Sequence, residues 1–316
     1  MSGNDFPLVS VIVPAYNCER YISAALQSAL DQDYPNKEII VVDDGSTDGT
    51  PQVLSAFGSR IAVVRQQNAG AAAARNAAMA RAHGKYFALL DSDDLWLPGK
   101  LTTQIAYLEA HPEVGMVYSA WREWHADAQG NFEPLTGANA TIDSAIDEGE
   151  SGWLYNRLLL ESIVHTTTAL IRADVARQVG AFDPDLKRGQ DYDYWLRISR
   201  VTPIHKLRAV LSLYRIRDES ITRRAHGVNY GYLVLKKALD RWGVVGPDGT
   251  RTPLHVMRKT LAGVWFGYGY RHYHVGDLAL ARDAFRHCIR YRPLWYPGWL
   301  YWFRSALRLL TTQRGL

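Results

Sequence analysis

Residues 8–13 form an apolar, β-branched run that stops at Pro14, and the same pattern returns at 38–42, 61–64, 86–90 and 114–118. Between these runs, residues 21–30, 50–57, 69–82 and 101–110 carry helical spacing, as where Ile22, Ala25, Leu26 and Ala29 share one side. Continuous apolar strands separated by helices predict βαβ units and a parallel sheet buried on both faces. Residues 121–150 lose the periodicity and fill with Asp, Asn, Gly and Ala, which predicts a surface loop or lid near a site. The pattern resumes with strands at 167–171 and 210–214 and helices at 174–179 and 191–199. From about residue 226 the chain reads as helix throughout, interrupted by the turn Gly246-Pro247-Asp248-Gly249.

Composition supports a folded chain and divides it. Of 316 residues 47% are hydrophobic and 22% charged, enough for a sizeable core. The net charge of +4 hides a split: residues 1–222 carry 20 Lys and Arg against 28 Asp and Glu, whereas residues 223–316 carry 16 against 4. The same tail holds 16 of the 36 aromatic residues. Cys18 and Cys288 are too few for a disulfide framework or a thiolate zinc site and suit a reducing compartment. The polar start, residues 1–7, has no signal-peptide pattern, and no stretch reaches the roughly 20 apolar residues of a membrane span. The expected location is therefore cytoplasmic. The acidity of the body argues against a nucleic-acid partner.

Three polar clusters follow predicted strands: Pro14-Ala15-Tyr16-Asn17, Asp43-Asp44-Gly45-Ser46 and Asp91-Ser92-Asp93-Asp94. In a parallel sheet all three lie along one edge, outside the carboxyl ends of the strands, where such folds bind ligands. Crowded carboxylates there are tolerable when a cation or a donor-rich ligand offsets them. Asp91 and Asp93, two apart, would point to one side of an extended segment, which suits Mg²⁺ or Mn²⁺ shared with phosphate. The plainer reading of the same segment is a turn and helix cap around Asp94. Asp43-Asp44 reads as a strand-to-helix turn, but one cap does not need two carboxylates. Glycine-rich dinucleotide and P-loop patterns are both missing.

Six segments, in order, carry a resemblance: residues 11–17 (VIVPAYN), 41–48 (VVDDGSTD), 68–76 (NAGAAAARN), 90–94 (LDSDD), 179–184 (VGAFDP) and 189–197 (GQDYDYWLR). Over residues 8–222 the chain resembles a family 2 glycosyltransferase. The resemblance implies an α/β GT-A fold, Rossmann-like, with a mostly parallel central sheet flanked by helices. It assigns 1–222 to the catalytic domain; residues 223–316 lie outside it and read, from the residues alone, as a helical, basic, aromatic-rich C-terminal extension. It implies transfer of a sugar, with inversion, from a nucleoside diphosphate donor, most commonly a UDP-sugar.

Carried over residue by residue, the resemblance implies that Pro14, Tyr16 and Asn17 line the nucleoside pocket. Asp44 would accept from the base, Arg75 would sit near base or phosphates, and Ser92 would lie with the donor. Asp91 would meet ribose or metal, and Asp93 would ligate the divalent cation, Mn²⁺ or Mg²⁺. Asp191 would be the catalytic base toward a glycan or glycolipid hydroxyl, with Gln190 where the family often has Glu. From the residues alone, Asp191 reads as a helix N-cap and Trp195 as core. Arg217 stands where the family often has a His that reaches the metal or diphosphate. An arginine cannot ligate a cation but can pair with phosphate, so an altered metal dependence is expected.

In the tail, residues 261–293 resemble one tetratricopeptide-like helix pair. Residues 295–310 combine Trp295, Tyr296, Trp299, Tyr301, Trp302 and Phe303 with Arg304 and Arg308. A helix there is too short to span a bilayer but suits the inner face of a plasma membrane carrying anionic lipid. The other use of that face is docking on the catalytic domain or in a homodimer. Two further readings of the whole chain are a nucleotidyltransferase, which would want a Gly-rich basic loop after the first strand, and a non-catalytic nucleotide-sugar-binding scaffold. The retained Asp44, Asp91, Asp93 and Asp191 weigh against the scaffold.

Overall fold

The structure is a computed structural model that describes residues 6–126, 132, 143–216 and 226–314, with side chains as far as Thr311. In chain order the elements are β1 (Val9–Ala15), α1 (Ile22–Leu30), β2 (Lys37–Asp43), α2 (Thr50–Ser55), β3 (Ala62–Arg65), α3 (Ala71–Met79), β4 (Tyr86–Leu89), β5 (Leu95–Trp96) and α4 (Lys100–Ala110). They continue with β6 (Met116–Trp124), α5 (Tyr155–Leu158), β7 (Leu170–Arg172), α6 (Ala173–Val179), α7 (Gln190–Ile198) and β8 (Ile204–Arg215). Four helices follow: α8 (Tyr230–Trp242), α9 (Leu254–Val275), α10 (Leu278–Tyr291) and α11 (Tyr296–Arg314). By its contacts the chain divides into two units, Met1–Leu158 with Ser162–Asp218, and Leu159–Glu161 with Glu219–Leu316.

The first unit holds an eight-stranded sheet in the order β3-β2-β1-β4-β7-β6-β8-β5. β1 runs parallel to both β2 and β4, and β2 runs parallel to β3. The other half is mixed: β7 is antiparallel to β4 and β6, β8 is parallel to β6, and β5 is antiparallel to β8. Every residue of β1 is buried, which is what a central strand covered on both faces requires. α1 buries Ile22, Ala25, Leu26 and Ala29, the four residues that the helical spacing aligns. α3 is a run of alanines that buries Ala72, Ala74 and Ala78 together with Arg75.

Three details differ from the sequence pattern. β5, a two-residue strand at Leu95–Trp96, replaces part of the expected turn and cap. β6 continues to Trp124, into the segment where periodicity fades, because register shifts around Ala120 let its outer half keep pairing with β8 while its side chains turn partly outward. β8 begins at Ile204, before its apolar stretch, and spans 12 residues.

The second unit is helical. Asn229 caps α8 by accepting from the Tyr232 N–H, and Asp277 caps α10 by accepting from the Ala279 and Leu280 N–H groups. α9 meets α10 closely at Gly269, where a Cβ would lie 3.0 Å from that of Ala284. α11 packs on α9 and α10 through Tyr301, whose ring meets those of Phe266, Tyr270, Tyr273 and Phe285. Among the described residues no helix is long and apolar enough to cross a membrane. His272 and His274 contact the rings of Tyr268 and Tyr270, and His272 Nε2 also lies 2.8 Å from the His226 carbonyl.

Candidate functional site at the carboxyl edge of the sheet

Because β1, β2 and β4 are parallel neighbours, the three polar clusters leave the same edge of the sheet. Pro14 lies within β1 opposite Val42, Ala15 ends the strand, and Tyr16 stands half exposed (50%) beyond it. Asn17 adopts φ +45, the one positive value among the described non-glycine residues. Its Oδ1 accepts from the Thr47 N–H at 2.8 Å, and its own N–H donates to Ser46 Oγ at 3.0 Å. Asn17 therefore ties the β1 loop to the β2 loop, a role the motif alone did not disclose.

The two adjacent aspartates divide the work. Asp43 Oδ1 accepts from the Ser46 N–H at 2.9 Å and holds the turn. Gly45 at φ +76 is required there twice over, since a Cβ would also lie 2.9 Å from the Asn68 nitrogen. Asp44 is 2% exposed. It accepts from Gln66 Nε2 at 2.7 Å, the Ala69 N–H at 2.9 Å and the Gly70 N–H at 2.8 Å. Three of about four lone-pair sites on a carboxylate are thus used in seating the loop that opens α3. The N–H of Thr50, where α2 opens, donates to Asp48 Oδ1 at 3.0 Å.

That loop delivers Arg75 into the site. Its Nη2 donates to Asp91 Oδ1 at 2.5 Å, and its guanidinium lies 5.7 Å from the centre of the Phe182 ring. The residue is 5% exposed, yet Nε and Nη1 find no hydrogen-bond partner among the described residues. Unpaired buried N–H groups on a cation are costly, and such a group marks a place where a ligand is expected.

Asp91-Ser92-Asp93-Asp94 is a turn: the Asp94 N–H donates to the Asp91 carbonyl at 3.1 Å. The extended geometry expected to aim Asp91 and Asp93 the same way is therefore corrected. The end of β8 fixes this turn, with Arg215 Nε donating to the Asp93 carbonyl at 2.7 Å and the Arg215 N–H donating to Asp94 Oδ1 at 3.0 Å. Burial, with Asp93 and Asp91 beside it, holds the Asp94 carboxyl well above its usual range. Ser92 hydrogen-bonds the buried Cys18 thiol, whose own ionisation burial pushes up. Ser92 is thereby engaged with its own chain.

Asp191 opens α7, but Gly189 at φ +70 holds the N-cap position without a side-chain bond. The cap expected of Asp191 is thus corrected: its Oδ1 accepts only from the next N–H, Tyr192, at 2.8 Å. Its Oδ2 accepts from Thr166 Oγ1 at 3.2 Å. Trp195 is fully buried, and Arg197 pairs with Asp193 at 2.8 Å and with the Val179 and Ala181 carbonyls, away from any substrate role.

His165 joins the two halves. It lies in the fields of Asp191, Asp91 and Glu123, while burial outweighs them and pushes its imidazole below the usual range. Its ring sits 3.9 Å from that of Trp121 and 5.3 Å from that of Tyr214. Thr166 and His165 have no sequence signal of a site, since the run HTTT at 165–168 carries neither a motif nor a ligand spacing. The short turn Thr166–Thr168 that bears Thr166 is braced from beneath. Gln104 Nε2 donates to the Thr168 carbonyl at 2.8 Å, and Trp96 Nε1 donates to the Thr167 carbonyl at 2.8 Å. Lys100, fully buried, donates to Gln104 Oε1 at 2.6 Å and lies 4.4 Å from the Trp96 ring centre. With burial alone acting on it, its ammonium is pushed down to about 7.

Among the described residues no group of three or more His, Cys, Asp or Glu side chains could hold a metal. A Mg²⁺ or Mn²⁺ ion takes one or two carboxylates and completes its shell with phosphate and water. Asp91 and Asp93 supply hard oxygens of that kind, so the residues fit. Arg217 lies outside the described residues.

The sequence pattern of glycosyl transferase family 2 matches residues 10–177, more than half the chain. The chain belongs to the family 2 glycosyltransferases. The glucosyltransferase WfgD of Escherichia coli, named as acting from UDP-Glc on α-D-GlcNAc-diphosphoundecaprenol, is 31% identical over 251 residues, 78% of this chain and 88% of that one. S. aureus TarS 1–349, solved with UDP-GlcNAc, aligns at a TM-score of 0.60 with 19% identity, covering 90% of this chain and 81% of that one. The mannosyltransferase PcManGT of Pyrobaculum calidifontis, solved with GDP-Man and Mn²⁺, aligns at a TM-score of 0.58 with 22% identity, covering 96% and 87%. The two solved structures are similar in fold. The chain spans about half (49%) of a longer solved chain of S. aureus TarS. These glycosyltransferase neighbours share the mixed sheet with flanking helices that positions the site.

Proposed function

We propose that this family 2 glycosyltransferase moves a hexose, with inversion, from a nucleoside diphosphate sugar to a hydroxyl of a glycan or lipid-linked acceptor in polysaccharide biosynthesis. The carrying observation is the buried Arg75, anchored on Asp91 with Nε and Nη1 unpaired among the described residues, within a site that also holds Asp191. Tyr16 offers an exposed face for the base, and the loop seated by Asp44 shapes the nucleoside pocket between the β1 and β2 ends. Arg75 Nε and Nη1 suit an anionic or carbonyl oxygen of the nucleotide. A UDP-sugar is the donor favoured by WfgD, whose name also motivates a lipid-linked acceptor and a place at the inner face of the plasma membrane.

Asp191 accepts the proton of the acceptor hydroxyl as that oxygen attacks the anomeric carbon from the face opposite the leaving group. The new glycosidic bond forms as the bond to the diphosphate breaks, and the nucleoside diphosphate leaves with the bonding pair. Thr166 Oγ1, donating to Oδ2, keeps the Asp191 carboxylate oriented. Asp93 and Asp91 would hold a divalent cation, Mn²⁺ or Mg²⁺, which supplies charge stabilisation to the diphosphate. PcManGT with GDP-Man and Mn²⁺ supports that assignment. Arg217 is proposed to pair with a phosphate oxygen.

The test is a screen of nucleotide sugars with Mn²⁺ or Mg²⁺, following released nucleoside diphosphate with and without lipid-linked acceptors. Turnover with one donor, lost on Asp191→Asn while donor binding persists, supports the reading. Collapse of donor affinity in Asp191→Asn removes its role as base, and nucleotide binding without turnover across donors and acceptors favours a scaffold.

A further inference from the structure

The second unit carries an apolar face that its own packing does not cover. On α11, Tyr296 (68% exposed), Trp299 (42%), Phe303 (64%), Leu307 (64%) and Leu310 (56%) all face solvent. At 3.6 residues per turn these five positions fall within about 80° of one another around the helix. Tyr301 and the fully buried Ser305 lie on the opposite side and make the contacts with α9 and α10. The stripe is therefore the back of a helix whose other side is already committed. Exposing five large apolar side chains in one line is unfavourable in water, and a continuous stripe of this kind marks a contact surface.

Charge selects the occupant. After Asp283 the chain contains no acidic residue, while Arg286, Arg290, Arg292, Arg304, Arg308 and Arg314 follow. Arg304 and Arg308 are exposed and lie on one side of the stripe, about 100° and 140° round the helix from its middle. Arg304 lies 5.5 Å from the Tyr301 ring centre, and Arg308 lies 4.8 Å from that of Tyr273 while donating to its carbonyl at 3.0 Å. Arg304 thus borders the apolar line, and Arg308 is held on the side that α11 turns to α9. Pairing this face with its own copy about a two-fold axis would set these arginines against each other with no carboxylate to separate them. Tryptophan and tyrosine beside arginine match the boundary between acyl chains and anionic headgroups.

We propose that the Tyr296–Trp299–Phe303–Leu307–Leu310 face of α11 docks the chain on an anionic lipid bilayer. The helix, 19 residues long, lies in the interface with its stripe toward the acyl chains. Arg304 sits at headgroup level. This contact is separate from donor chemistry and does not depend on which sugar is moved.

The experiment is flotation of the full chain with vesicles of phosphatidylcholine alone or with about one third phosphatidylglycerol. The full chain is expected to float with the anionic vesicles, weakly with the neutral ones, and less as salt rises. The double variant Phe303→Glu, Leu307→Glu is expected to need at least about ten-fold more lipid for half-binding. Its melting temperature and donor hydrolysis should match those of the parent chain. Absence of flotation on anionic vesicles overturns the proposal, as does flotation unchanged in the double variant. A parent dimer in light scattering that the double variant dissociates, without vesicle binding by either, assigns the face to a second copy instead.

Discussion

Arg75 and Asp91 meet at 2.5 Å from the first turns of α3 and the end of β4, and only one nitrogen of the buried guanidinium is used in that bond. Asp91 orients the arginine, and the arginine in turn occupies one oxygen of a carboxylate placed beside Asp93 and Asp94. The pair leaves two guanidinium nitrogens, Nε and Nη1, without a partner among the described residues, which stability alone would not select. A site that keeps such a cost in its resting state recovers it on binding.

Arg75→Met should therefore separate binding from stability. Methionine keeps much of the packing against Phe182 and removes a poorly satisfied buried cation. Nucleotide affinity should fall by roughly ten- to a hundred-fold, the loss of hydrogen bonds to a charged group, while the melting temperature stays level or rises. Titration calorimetry with the nucleotide and a thermal melt read the two quantities. A large drop in melting temperature with unchanged affinity would make Arg75 a structural strut.

Thr166→Val removes the hydroxyl that donates to Asp191 Oδ2 at 3.2 Å. The change is nearly isosteric, so the turn should persist. A less well-oriented base should lower kcat by several-fold to about ten-fold with donor KM unchanged, against the roughly hundred-fold or greater loss expected for Asp191→Asn. Steady-state kinetics over donor concentration decide this. A rise in KM at constant kcat would place Thr166 in binding instead.

Asp44→Asn should destabilise the fold locally. An amide nitrogen would replace one oxygen that now receives N–H groups, setting a donor against the Ala69 or Gly70 donors or losing the Gln66 bond. A cost of about 1–3 kcal/mol is expected from an unmade buried bond. Urea denaturation should show a lower midpoint, and amide hydrogen exchange at Ala69 and Gly70 should quicken. Unaltered exchange there would show that the carboxylate does not seat the loop.

Lys100 sets a pH dependence with a definite sign. Its folded value is pushed down to about 7, against 10.5 for an unperturbed lysine. Between these values the unfolded chain binds the proton more tightly than the folded one, so stability should rise as pH increases from about 7 toward 9. Above about 10 the buried tyrosines oppose it, since burial also pushes up groups such as Tyr34, to about 12. Lys100→Met should flatten the rise between pH 7 and 9 and stabilise the chain at pH 7. Melts across that range check it, and an undiminished rise in the variant would point to other groups.

Much of the site could be placed from sequence because apolar runs and their stops are local signals. Pro14 after β1, the aspartates after β2 and the LDSDD segment after β4 each end a buried strand. Parallel pairing then puts them on one edge without further information. The course of the chain within each loop was not legible. Asp91–Asp94 curls into a turn because β8, some 120 residues later, supplies Arg215 to hold it. Asp191 does not cap its helix because Gly189 at positive φ already ends the preceding turn.

From the one-dimensional pattern came the alternation of strand and helix, the six motif segments, and the break in charge between an acidic body and a basic tail, since these depend on residue type and spacing alone. Tertiary contact decided the rest. Asn17 and Asp44 serve the loops because their acceptors meet N–H groups 30 and about 25 residues away. His165, Thr166 and Lys100 enter the site because β7 and α4 bring them beneath it. The stripe on α11 is exposed because its helix spends the opposite face on α9 and α10. Burial and long-range pairing arise only when distant segments exclude the same water, which spacing along the chain does not encode.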